Sequence, residues 1–576
     1  MRSHYGTIVV GSGYGASVAA LRVTEGMSAT EILREGVAVF ERGREILPGE
    51  FPESLADLAL DMRSRINPLG FLDATKAPFK ADLDVIGASG LGGTSLLNAA
   101  ITMRPAEIVW RQPEWPEEIR RDFQSGQLSE YFDRAESMLR PTLGENTRSL
   151  PKTAAHLANV EPGLPQGELT LNINHTEGFM RFGVQQHACT NCGNCCGGCN
   201  VGAKNSTTTN YLPCAKDMGA EVYTRVEVAF VEYVGRTAKA PWRVHLKVYD
   251  RSSFLYYTQK VVTADHVFLG AGSAGTTRIL LESRENGLEL SDRIGSGVSA
   301  NGDKLGFVYN SGTFTNVAAA EASSSLAPPS RPVGPTITAY AQYGEPGSPI
   351  EEQFVLLDGS IPTALAPTAA RALAAAFGLP TVMTADWDGM ERAGADLIAS
   401  YPGAKGALAH SMLLLACGHD SSGGRYVLGD GGMYVEWPDI DRERSFEYIE
   451  QKMQEYAARM GGVYVPNPRT TLFRGKLQTT HPLGGAPMGS DVSRGVVNHR
   501  GQVFDPNGGV YPGLYVVDAA MIPRSLGAPP LATITALAER NLAHFASDRA
   551  PPTPIMPPLP RDGCNFGLRG KPRLSF

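Results

Sequence analysis

The amino-acid sequence predicts an α/β protein, and the observations that predict this fold class lie near its beginning. The apolar, β-branched run at 7–10 predicts a buried strand. This run continues into GSGYGA at 11–16, a G-x-G-x-x-A turn, and then into a helix of small residues at 16–23. A second apolar strand at 36–40 ends in Glu41. Strand, turn, helix, strand and acid in this order indicate a Rossmann-like dinucleotide-binding domain.

The residues of the turn have separate functions in a site of this kind. Gly11 makes the tight turn, Gly13 lets the backbone approach a pyrophosphate, and the small Ala16 lets the helix pack on the strand. The phosphates would bind at the N-terminus of the helix, where free N–H groups and the helix dipole favour negative charge. Glu41 would accept hydrogen bonds from ribose hydroxyls. Its distance from the turn exceeds the usual ~20 residues, and the polar stretch 25–35 explains this as an insertion.

The composition is that of an ordinary globular protein. The chain has 576 residues, which is too long for one hydrophobic core, so we expect two or more domains. Its formal net charge is −7, and no basic region favours nucleic acid or an anionic membrane. No apolar run approaches the ~20 residues that span a bilayer, and no secretory pattern precedes the first strand. We therefore expect a cytoplasmic protein with no nucleic-acid partner and no membrane span.

Glycine-rich turns mark the first domain and are rare in the later middle part of the chain. A second glycine-rich loop spans 85–98, and another strand-to-turn pattern spans 264–276. Between them, the alternating segments 226–233 and 242–249 predict antiparallel strands. Few glycine-rich turns follow in the chain until the final block, 478–543, where they occur again. This change in composition predicts a second domain inserted into the first.

Five of the eight cysteines lie within eleven residues. Cys189, Cys192, Cys195 and Cys199 fit the spacing C-x2-C-x2-C-x3-C, the ligand run of bacterial ferredoxins. The proline that usually follows the fourth cysteine is replaced by Asn200, and the sequence contains no second run. Three interpretations remain open: an iron–sulfur cluster, a structural zinc site, or thiols that line a tight loop beside the cofactor without a metal.

Four separated stretches resemble one family, the glucose–methanol–choline (GMC) oxidoreductases. The stretches are GSGYGAS followed by Glu41, GLGGTSLLN, FLGAGSAGTTRILLES, and the series THPLGG, YPGLYVVDAAMIP and TITALAER. Within the family, NGDKLGF, CGHDSSGGRYVL and TITALAERN are most similar to the cholesterol-oxidase-like branch. The resemblance covers nearly the whole chain, with the stretches in the family's order.

The resemblance implies a Rossmann-like FAD-binding domain that is discontinuous in sequence. It also implies an α+β substrate-binding domain whose β-sheet covers the flavin ring. The expected segments are 1–105, 186–310 and 461–550 for the FAD-binding domain, 106–185 and 311–460 for the substrate domain, and 551–576 for a Pro-rich C-terminal tail. The expected FAD-binding residues are Gly11, Gly13, Tyr14, Gly15, Ala16, Glu41, Gly90, Gly92, Gly93, Ser95, Asn98, Val226, Gly272, Asp518 and Thr533.

The resemblance further implies alcohol oxidation, in which the substrate carbon gives a hydride to flavin N5 and a base takes the hydroxyl proton. His481 matches the family's active-site histidine, and an imidazole with a pKa near neutrality suits that proton transfer. Pro482 restricts the backbone of His481 to extended conformations. Asp358 is the nearest match to the carboxylate with which sterol oxidases isomerise a double bond. Pro529 stands where the family places a second His or Asn, and proline cannot donate a hydrogen bond.

These observations predict an FAD-dependent oxidoreductase that acts on the CH–OH group of a bulky apolar small molecule, such as a sterol, a terpenoid or a polyketide-like compound. Its second partner would be oxygen or an electron-acceptor protein. Two alternatives stay open. The cysteine run favours a dehydrogenase that passes electrons from FAD through an iron–sulfur cluster to a partner. Pro529 favours an FAD-dependent biosynthetic enzyme with a redox-neutral outcome, namely an isomerase, a lyase or a ring-forming enzyme.

Overall fold

The computed structural model confirms the predicted α/β class and shows several sheets. The structure describes residues 1–64, 66–74, 81–235, 238, 240–250, 256–345, 347–377, 387–429, 432–467 and 477–549. The predicted Pro-rich tail, 551–576, lies outside the described residues. No helix in the described part of the chain is both long and apolar enough to cross a membrane.

The strands are numbered in chain order. They are β1 (His4–Val10), β2 (Val37–Phe40), β3 (Leu72–Ala74), β4 (Leu83–Ala88), β5 (Gln166–Glu168), β6 (Phe179–Arg181), β7 (Val184–Gln186), β8 (Glu221–Tyr223), β9 (Val226–Tyr233), β10 (Trp242–Tyr249), β11 (Tyr257–Leu269), β12 (Ser296–Val298), β13 (Lys304–Tyr309), β14 (Ala339–Tyr343), β15 (Phe354–Gly359), β16 (Met412–Cys417), β17 (Gly424–Gly429), β18 (Gly432–Glu436), β19 (Val463–Pro466), β20 (Leu477–Thr479), β21 (Gln502–Phe504) and β22 (Val510–Val516).

The helices are numbered in the same way. The α-helices are α1 (Tyr14–Glu25), α2 (Ala29–Glu35), α3 (Leu55–Leu60), α4 (Glu107–Trp110), α5 (Glu117–Gln124), α6 (Gln127–Leu139), α7 (Pro151–Asn159), α8 (Tyr211–Asp217), α9 (Gly272–Glu285), α10 (Ala366–Phe377), α11 (Trp387–Ile398), α12 (Arg444–Met460) and α13 (Leu531–Arg549). Short 3₁₀ turns lie at Gly93–Leu96, Thr147–Ser149, Thr207–Thr209, Ile350–Glu352, Ala407–His410, Ile440–Arg442 and Ala519–Met521.

The largest sheet is built from distant parts of the chain. Its order is β21-β22-β11-β1-β2-β8, with β9 and β10 attached through β11. The pairs β22–β11, β11–β1, β1–β2 and β2–β8 are parallel, so the carboxyl ends of these strands meet at one edge. The predicted strands at 226–233 and 242–249 are β9 and β10, and they pair antiparallel. The polar insertion at 25–35 contains α2, which begins with a capping box formed by Ser28 and Glu31.

Helix α1 lies unusually close to the strands that follow it in space. A Cβ atom built on Gly15 would lie 1.7 Å from the carbonyl oxygen of Val517, so this position requires glycine. A Cβ built on Gly270, at the end of β11, would lie 2.7 Å from the Cβ of Ala16. The helix packs against α13 and α8 on its outer side. The small residues of the first turn therefore hold the N-terminus of α1 against the carboxyl edge of the sheet.

The second sheet has six strands in the order β19-β13-β16-β15-β14-β5, all antiparallel. Strands β13 and β19 belong to it, although the expected FAD-binding segments 186–310 and 461–550 include both of them. Pairing with β16 places β13 there, a long-range contact that the local sequence pattern does not show. One face packs on α7, α10 and α12 in a hydrophobic core.

A small three-stranded sheet, β20-β4-β3, connects the two halves of the molecule. Strand β20 pairs parallel with β4, from Leu477 opposite Leu83 to Thr479 opposite Val85. Parallel strands end at the same edge of a sheet. The glycine-rich loop at 90–98, which follows β4, and His481, which follows β20, are therefore brought together.

Candidate active site

A cavity of about 510 Å³ lies between the carboxyl edge of the large sheet and the inner face of the six-stranded sheet. Ten of the fifteen expected FAD-binding residues line it: Gly11, Gly13, Tyr14, Gly15, Glu41, Gly93, Asn98, Val226, Gly272 and Asp518. His481 and Pro529 also line the cavity. The structure thus gathers glycine turns from three separate regions of the chain around one space.

The other five expected residues do not line the cavity, although four of them support its wall. The amide of Gly92 donates to Ser12 Oγ at 2.8 Å, and Ser95 Oγ donates to the carbonyl of Gly92 at 2.6 Å. Gly90 precedes this turn, while Ala16 packs against the end of β11. Thr533 is fully buried within α13. Gly90, Gly92, Ser95 and Ala16 therefore support the shape of the cavity wall and do not themselves line the cavity.

Glu41 lies at one end of the cavity, directly after β2. Its carboxylate accepts hydrogen bonds from Ser12 Oγ at 2.6 Å and from the amide of Gly43 at 2.8 Å. Burial raises the pKa of Glu41. The two donors fix the carboxylate at the carboxyl end of β2, where an acid of this fold meets a ribose.

Two arginines that the sequence analysis did not identify also line the cavity. Arg42 and Arg278 both line it, and they pair with Asp73 at 2.8 Å and Glu227 at 3.2 Å. Burial raises the pKa of Glu227, but Arg278 and Arg42 oppose it and bring that pKa down to about 2. The only local sign that Arg42 belongs to the site is its position directly after the strand-ending acid, Glu41. No local pattern indicates Arg278.

The wall of the cavity also offers backbone groups that suit a pyrophosphate. Gly13 is the N-cap of α1, and no heavy atom lies within 4 Å of a Cβ built on it. The first N–H groups of a helix have no partner within the helix and favour an anion. Beside them, Asp518 accepts from the amide of Gly272 at 2.7 Å and from Thr276 Oγ1 at 2.6 Å. Burial raises the pKa of Asp518 to about 6.

His481 also lines the cavity, and its ring is held by a buried carboxylate. Its Nδ1 is 2.9 Å from Asp303 Oδ1, and Asp303 is only 1% exposed. The second oxygen of Asp303 accepts from the backbone amides of Thr480 and His481 and from Thr479 Oγ1. A carboxylate is an acceptor, so Nδ1 carries the proton of this pair. Nε2 then remains as the lone-pair nitrogen of a ring that lines the cavity.

Sequence reasoning missed Asp303, although it belongs to the NGDKLGF stretch. The two partners are 178 residues apart, and only the tertiary structure joins them. Cys417 completes the group, with its Sγ 3.6 Å from Asp303 Oδ1 and 3.7 Å from His481 Nδ1. Burial, together with the charge of Asp303, holds the pKa of the Cys417 thiol well above its ordinary value. This thiol therefore stays neutral beside the pair.

Comparison with known proteins identifies the family. The model of the GMC oxidoreductase N-terminal region matches residues 8–297, and that of the C-terminal region matches residues 439–538. The chain belongs to the GMC oxidoreductases. Members of this family bind FAD, and this GMC oxidoreductase is an FAD-dependent oxidoreductase.

The relatives of this GMC oxidoreductase include proteins named cholesterol oxidase. One from Mycobacterium tuberculosis is 26% identical over 96% of this chain and 93% of its own length. One from Acinetobacter baumannii is 25% identical over 94% of each chain. Among solved structures, pyridoxine 4-oxidase from Mesorbium loti shares the fold with a TM-score of 0.57 and 15% identity, covering 94% of this chain and 99% of that one. A fungal aryl-alcohol oxidase gives a TM-score of 0.56 at 14% identity, over 95% and 100%.

The residues of the cavity fit FAD. The open space at Gly13 lies where the pyrophosphate binds in this fold, and Glu41 lies where the adenosine ribose binds. Pro529, Pro530 and Leu531 bring the N-terminus of α13 to the wall of the same cavity, where its dipole favours a negative group. Gly13, Glu41 and the first turn of α13 would therefore hold the pyrophosphate, the ribose and an electron-rich edge of the flavin.

Asp358, the expected second catalytic residue, does not line the cavity. It pairs with Leu414 across β15 and β16, so alternation points it to the face opposite Leu357 and Leu415. There its carboxylate binds Lys152 Nζ at 2.7 Å, and both side chains are 0% exposed. It also accepts from the hydroxyl and amide of Thr338. The structure thus gives Asp358 a place in a buried ion pair, away from the flavin site.

We expect Lys152→Met to lower the free energy of unfolding by about 3–5 kcal/mol, because it leaves the Asp358 carboxylate buried without its cation. Denaturant unfolding followed by fluorescence measures the change. The double variant Lys152→Met/Asp358→Leu should recover much of the loss, because it removes both charges. If Asp358→Asn instead stops turnover with unchanged stability and FAD content, Asp358 acts in catalysis.

The cysteine run forms a loop that reaches the wall of the cavity. Cys196 and Gly197 line the cavity, beside Thr336. Burial raises the pKa of Cys192 to about 12 and that of Cys196 to about 11. Lys204, which follows the run, is 5% exposed, and burial lowers the pKa of its ammonium group. The loop therefore combines partly or fully buried cysteines with a buried cation next to the flavin site.

Proposed function

We propose that this GMC oxidoreductase oxidises a CH–OH group, with His481 as the base for the hydroxyl proton. When bound, FAD supplies the hydride acceptor at flavin N5. The observation that carries the proposal is the His481–Asp303 pair at 2.9 Å on the wall of the flavin cavity. Asp303 fixes the ring and its tautomer, so Nε2 is free to accept the proton while the carbon loses a hydride. Asp303 is thus a positioning residue.

The substrate that fits this cavity is bulky and apolar. The inner face of the six-stranded sheet presents Leu305, Leu413 and Leu415 to the cavity, and Ile337 and Ile101 lie beside them. Surfaces of this kind bind ligands mainly by excluding water, with a few polar groups for orientation. A sterol, a terpenoid or a polyketide-like secondary alcohol meets this requirement. The similarity to proteins named cholesterol oxidase supports the same class.

The experiment is anaerobic mixing of the yellow holoprotein with a panel of apolar secondary alcohols. A true substrate bleaches the flavin absorbance in a single turnover and yields the corresponding ketone. Admission of air then restores the yellow colour, with peroxide if oxygen is the acceptor. The absence of bleaching by every alcohol, combined with a non-oxidised product from the same compounds, would favour the redox-neutral alternative.

The residues around His481 predict narrow substrate use. Pro529 lines the cavity without offering a hydrogen bond. Two other polar residues of the wall are engaged elsewhere: Thr480 Oγ1 is 3.3 Å from Asp303, and Asn98 Nδ2 donates to Tyr14 at 2.6 Å. A positioned donor at a developing charge commonly contributes about 3 kcal/mol. This site therefore stabilises the oxygen of a simple alcohol less than a site with a second His or Asn.

We expect the unmodified enzyme to oxidise cholesterol slowly or not at all, and Pro529→Asn to raise that rate by restoring a donor. The rates of peroxide release and flavin reduction are compared between the unmodified enzyme and the variant at equal FAD content. Pro530→Asn is the matched control, because the neighbouring proline also lines the cavity. Fast oxidation of cholesterol by the unmodified enzyme would show that the missing donor is not needed.

A second candidate function is dehydrogenation with an electron-acceptor protein in place of oxygen. The observation in its favour is that Cys196 and Gly197 of the cysteine loop line the flavin cavity. A redox group bound in this loop would lie next to the flavin. Steady-state turnover with oxygen and with cytochrome c separates the two acceptors.

A further inference from the structure

We propose that Cys189, Cys192, Cys195 and Cys199 bind a [4Fe–4S] cluster that carries electrons out of the flavin site. The presence of the cluster is inferred from the surroundings of these four residues. The electron route also depends on the proposed function. Four cysteine thiolates are the usual ligand set of such a cluster, and this loop contains four cysteines at a ferredoxin-like spacing.

Three of the four cysteines are grouped in space as well as in sequence. Cys195 is buried in a hydrophobic cluster, and Cys189 and Cys199 both pack against that cluster. Cys192 lies between Cys189 and Cys195 in the same loop. Asn191, Gly193 and Gly198 have positive φ angles of 61°, 83° and 109°. These left-handed residues let a short segment curl so that the thiols converge.

Backbone amides already point at two of the sulfurs. The amide of Asn191 donates to Cys189 Sγ at 3.4 Å, and the amide of Ala203 donates to Cys199 Sγ at 3.3 Å. A neutral thiol is a weak acceptor, whereas a cluster-bound thiolate is negatively charged and accepts such bonds well. Hydrogen bonds to ligand sulfurs are one of the means by which proteins set a cluster's reduction potential.

Lys204 supplies a buried positive charge beside the loop. Its Nζ donates to the carbonyls of Leu96, Asn98 and Cys195, at 2.9, 2.7 and 2.7 Å. No carboxylate of the described residues is ion-paired with it, and one of its carbonyl partners belongs to Cys195, a proposed ligand. A buried ammonium without a counter-anion is costly. A cluster with four thiolates is an anion and would neutralise it.

The thiols of the loop are not gathered as closely as a single zinc ion requires. Zinc holds its four sulfurs at about 2.3 Å, which places the sulfurs about 3.8 Å from one another. Among the described residues, the one set of three or more ligand atoms within 4.8 Å of one another is Asp303, Cys417 and His481. No three thiols of the loop meet that limit. A polynuclear cluster separates its ligand sulfurs more widely, because each one binds a different iron.

The position of the loop provides an electron route. Lys204 ties the loop to Leu96 and Asn98, in the glycine-rich segment that forms the cavity wall. Cys196 and Gly197, which lie between the proposed ligands Cys195 and Cys199 in the sequence, line the cavity. The two electrons of the oxidised alcohol would leave the flavin one at a time through the cluster to an external one-electron carrier protein. The two protons released with them would go to solvent.

The test of the site is metal analysis of the full chain, purified without oxygen. We expect about four irons and about four acid-labile sulfides per chain, with an EPR signal after dithionite reduction. Cys192→Ala and Cys199→Ala should lose the iron and keep FAD. Cys214→Ala, which changes a buried cysteine outside the loop, should keep both. One zinc per chain, or no iron after reconstitution with ferrous iron and sulfide, would overturn the cluster.

The test of the route uses photochemical reduction of the bound flavin, so that no substrate is needed. We expect the EPR signal of the cluster to appear as the flavin reoxidises anaerobically, and cytochrome c reduction to be lost in Cys192→Ala. A cluster that stays oxidised beside reduced flavin would overturn the route alone. Failure of every alcohol to bleach the flavin would instead overturn the proposed function, with the iron content unchanged.

Discussion

His481→Ala is expected to lower kcat by about 100-fold or more while the FAD content stays unchanged. The variant removes the imidazole that we propose as the acceptor of the hydroxyl proton, and it leaves Gly13 and Glu41, which line the same cavity, unchanged. Single-turnover flavin reduction with the best alcohol of the panel measures the effect directly. The surface-facing His245, which pairs with Glu232, provides the control: His245→Ala should leave the rate unchanged.

Asp303→Asn should give a large loss of the same step with normal FAD content. An amide can donate to Nδ1 and so stabilise the tautomer whose proton is on Nε2, which is the wrong nitrogen for a base. The pH profile of flavin reduction should shift with it, which a purely structural residue would not cause. If His481→Ala and Asp303→Asn lose FAD together with activity, the pair has a structural role. If both keep full activity, the base lies elsewhere.

Gly13→Leu is expected to abolish FAD binding while the protein still folds. The structure has no heavy atom within 4 Å of a Cβ at this position, so the side chain enters open space and occupies the place of the pyrophosphate. The ratio of flavin to protein absorbance after purification measures the loss. Thermal unfolding of the colourless variant shows that a folded protein remains.

Two other glycines, one in the first turn of α1 and one directly after its last residue, provide comparisons for Gly13→Leu. Gly26→Ala, at the far end of the helix, has its nearest neighbour at 3.5 Å and should keep full FAD. Gly15→Ala should impair folding itself, because its Cβ would lie 1.7 Å from the carbonyl oxygen of Val517. A yellow Gly13→Leu protein with normal FAD content would mean that the pyrophosphate does not bind at this turn.

The elements that the sequence predicts well are those with a local cause. The strand and glycine turn before α1 and the alternating strands β9 and β10 follow from periodicity and from turn chemistry over a few residues. The segment 107–139 is divided into α4, α5 and α6, since Gly126 is left-handed and Pro116 caps the second helix.

The features that escape prediction depend on pairing between distant segments. Asp303 is recognisable as part of the site only because the fold brings it to His481. Asp358 falls on the outer face of its sheet because of its register with Leu414, and a one-residue shift would have turned it to the cavity. Arg278 also lines the cavity, although it belongs to α9 and its local sequence does not indicate this position. Register and long-range contact are properties of the whole chain and leave no trace in a local pattern.

The parallel pairing of β20 with β4 affects how the enzyme is made. During synthesis, the glycine-rich segment after β4 leaves the ribosome long before Leu477 is translated, so the nascent chain must wait for its partner strand. The same holds for β11, which pairs with β22, and for α1, which packs on α13. Contacts of this separation form slowly and expose apolar edges until they close. FAD can therefore be captured only after β20, β22 and α13 have been translated, and a chain cut short before β20 would emerge without a complete flavin site and would be prone to aggregate.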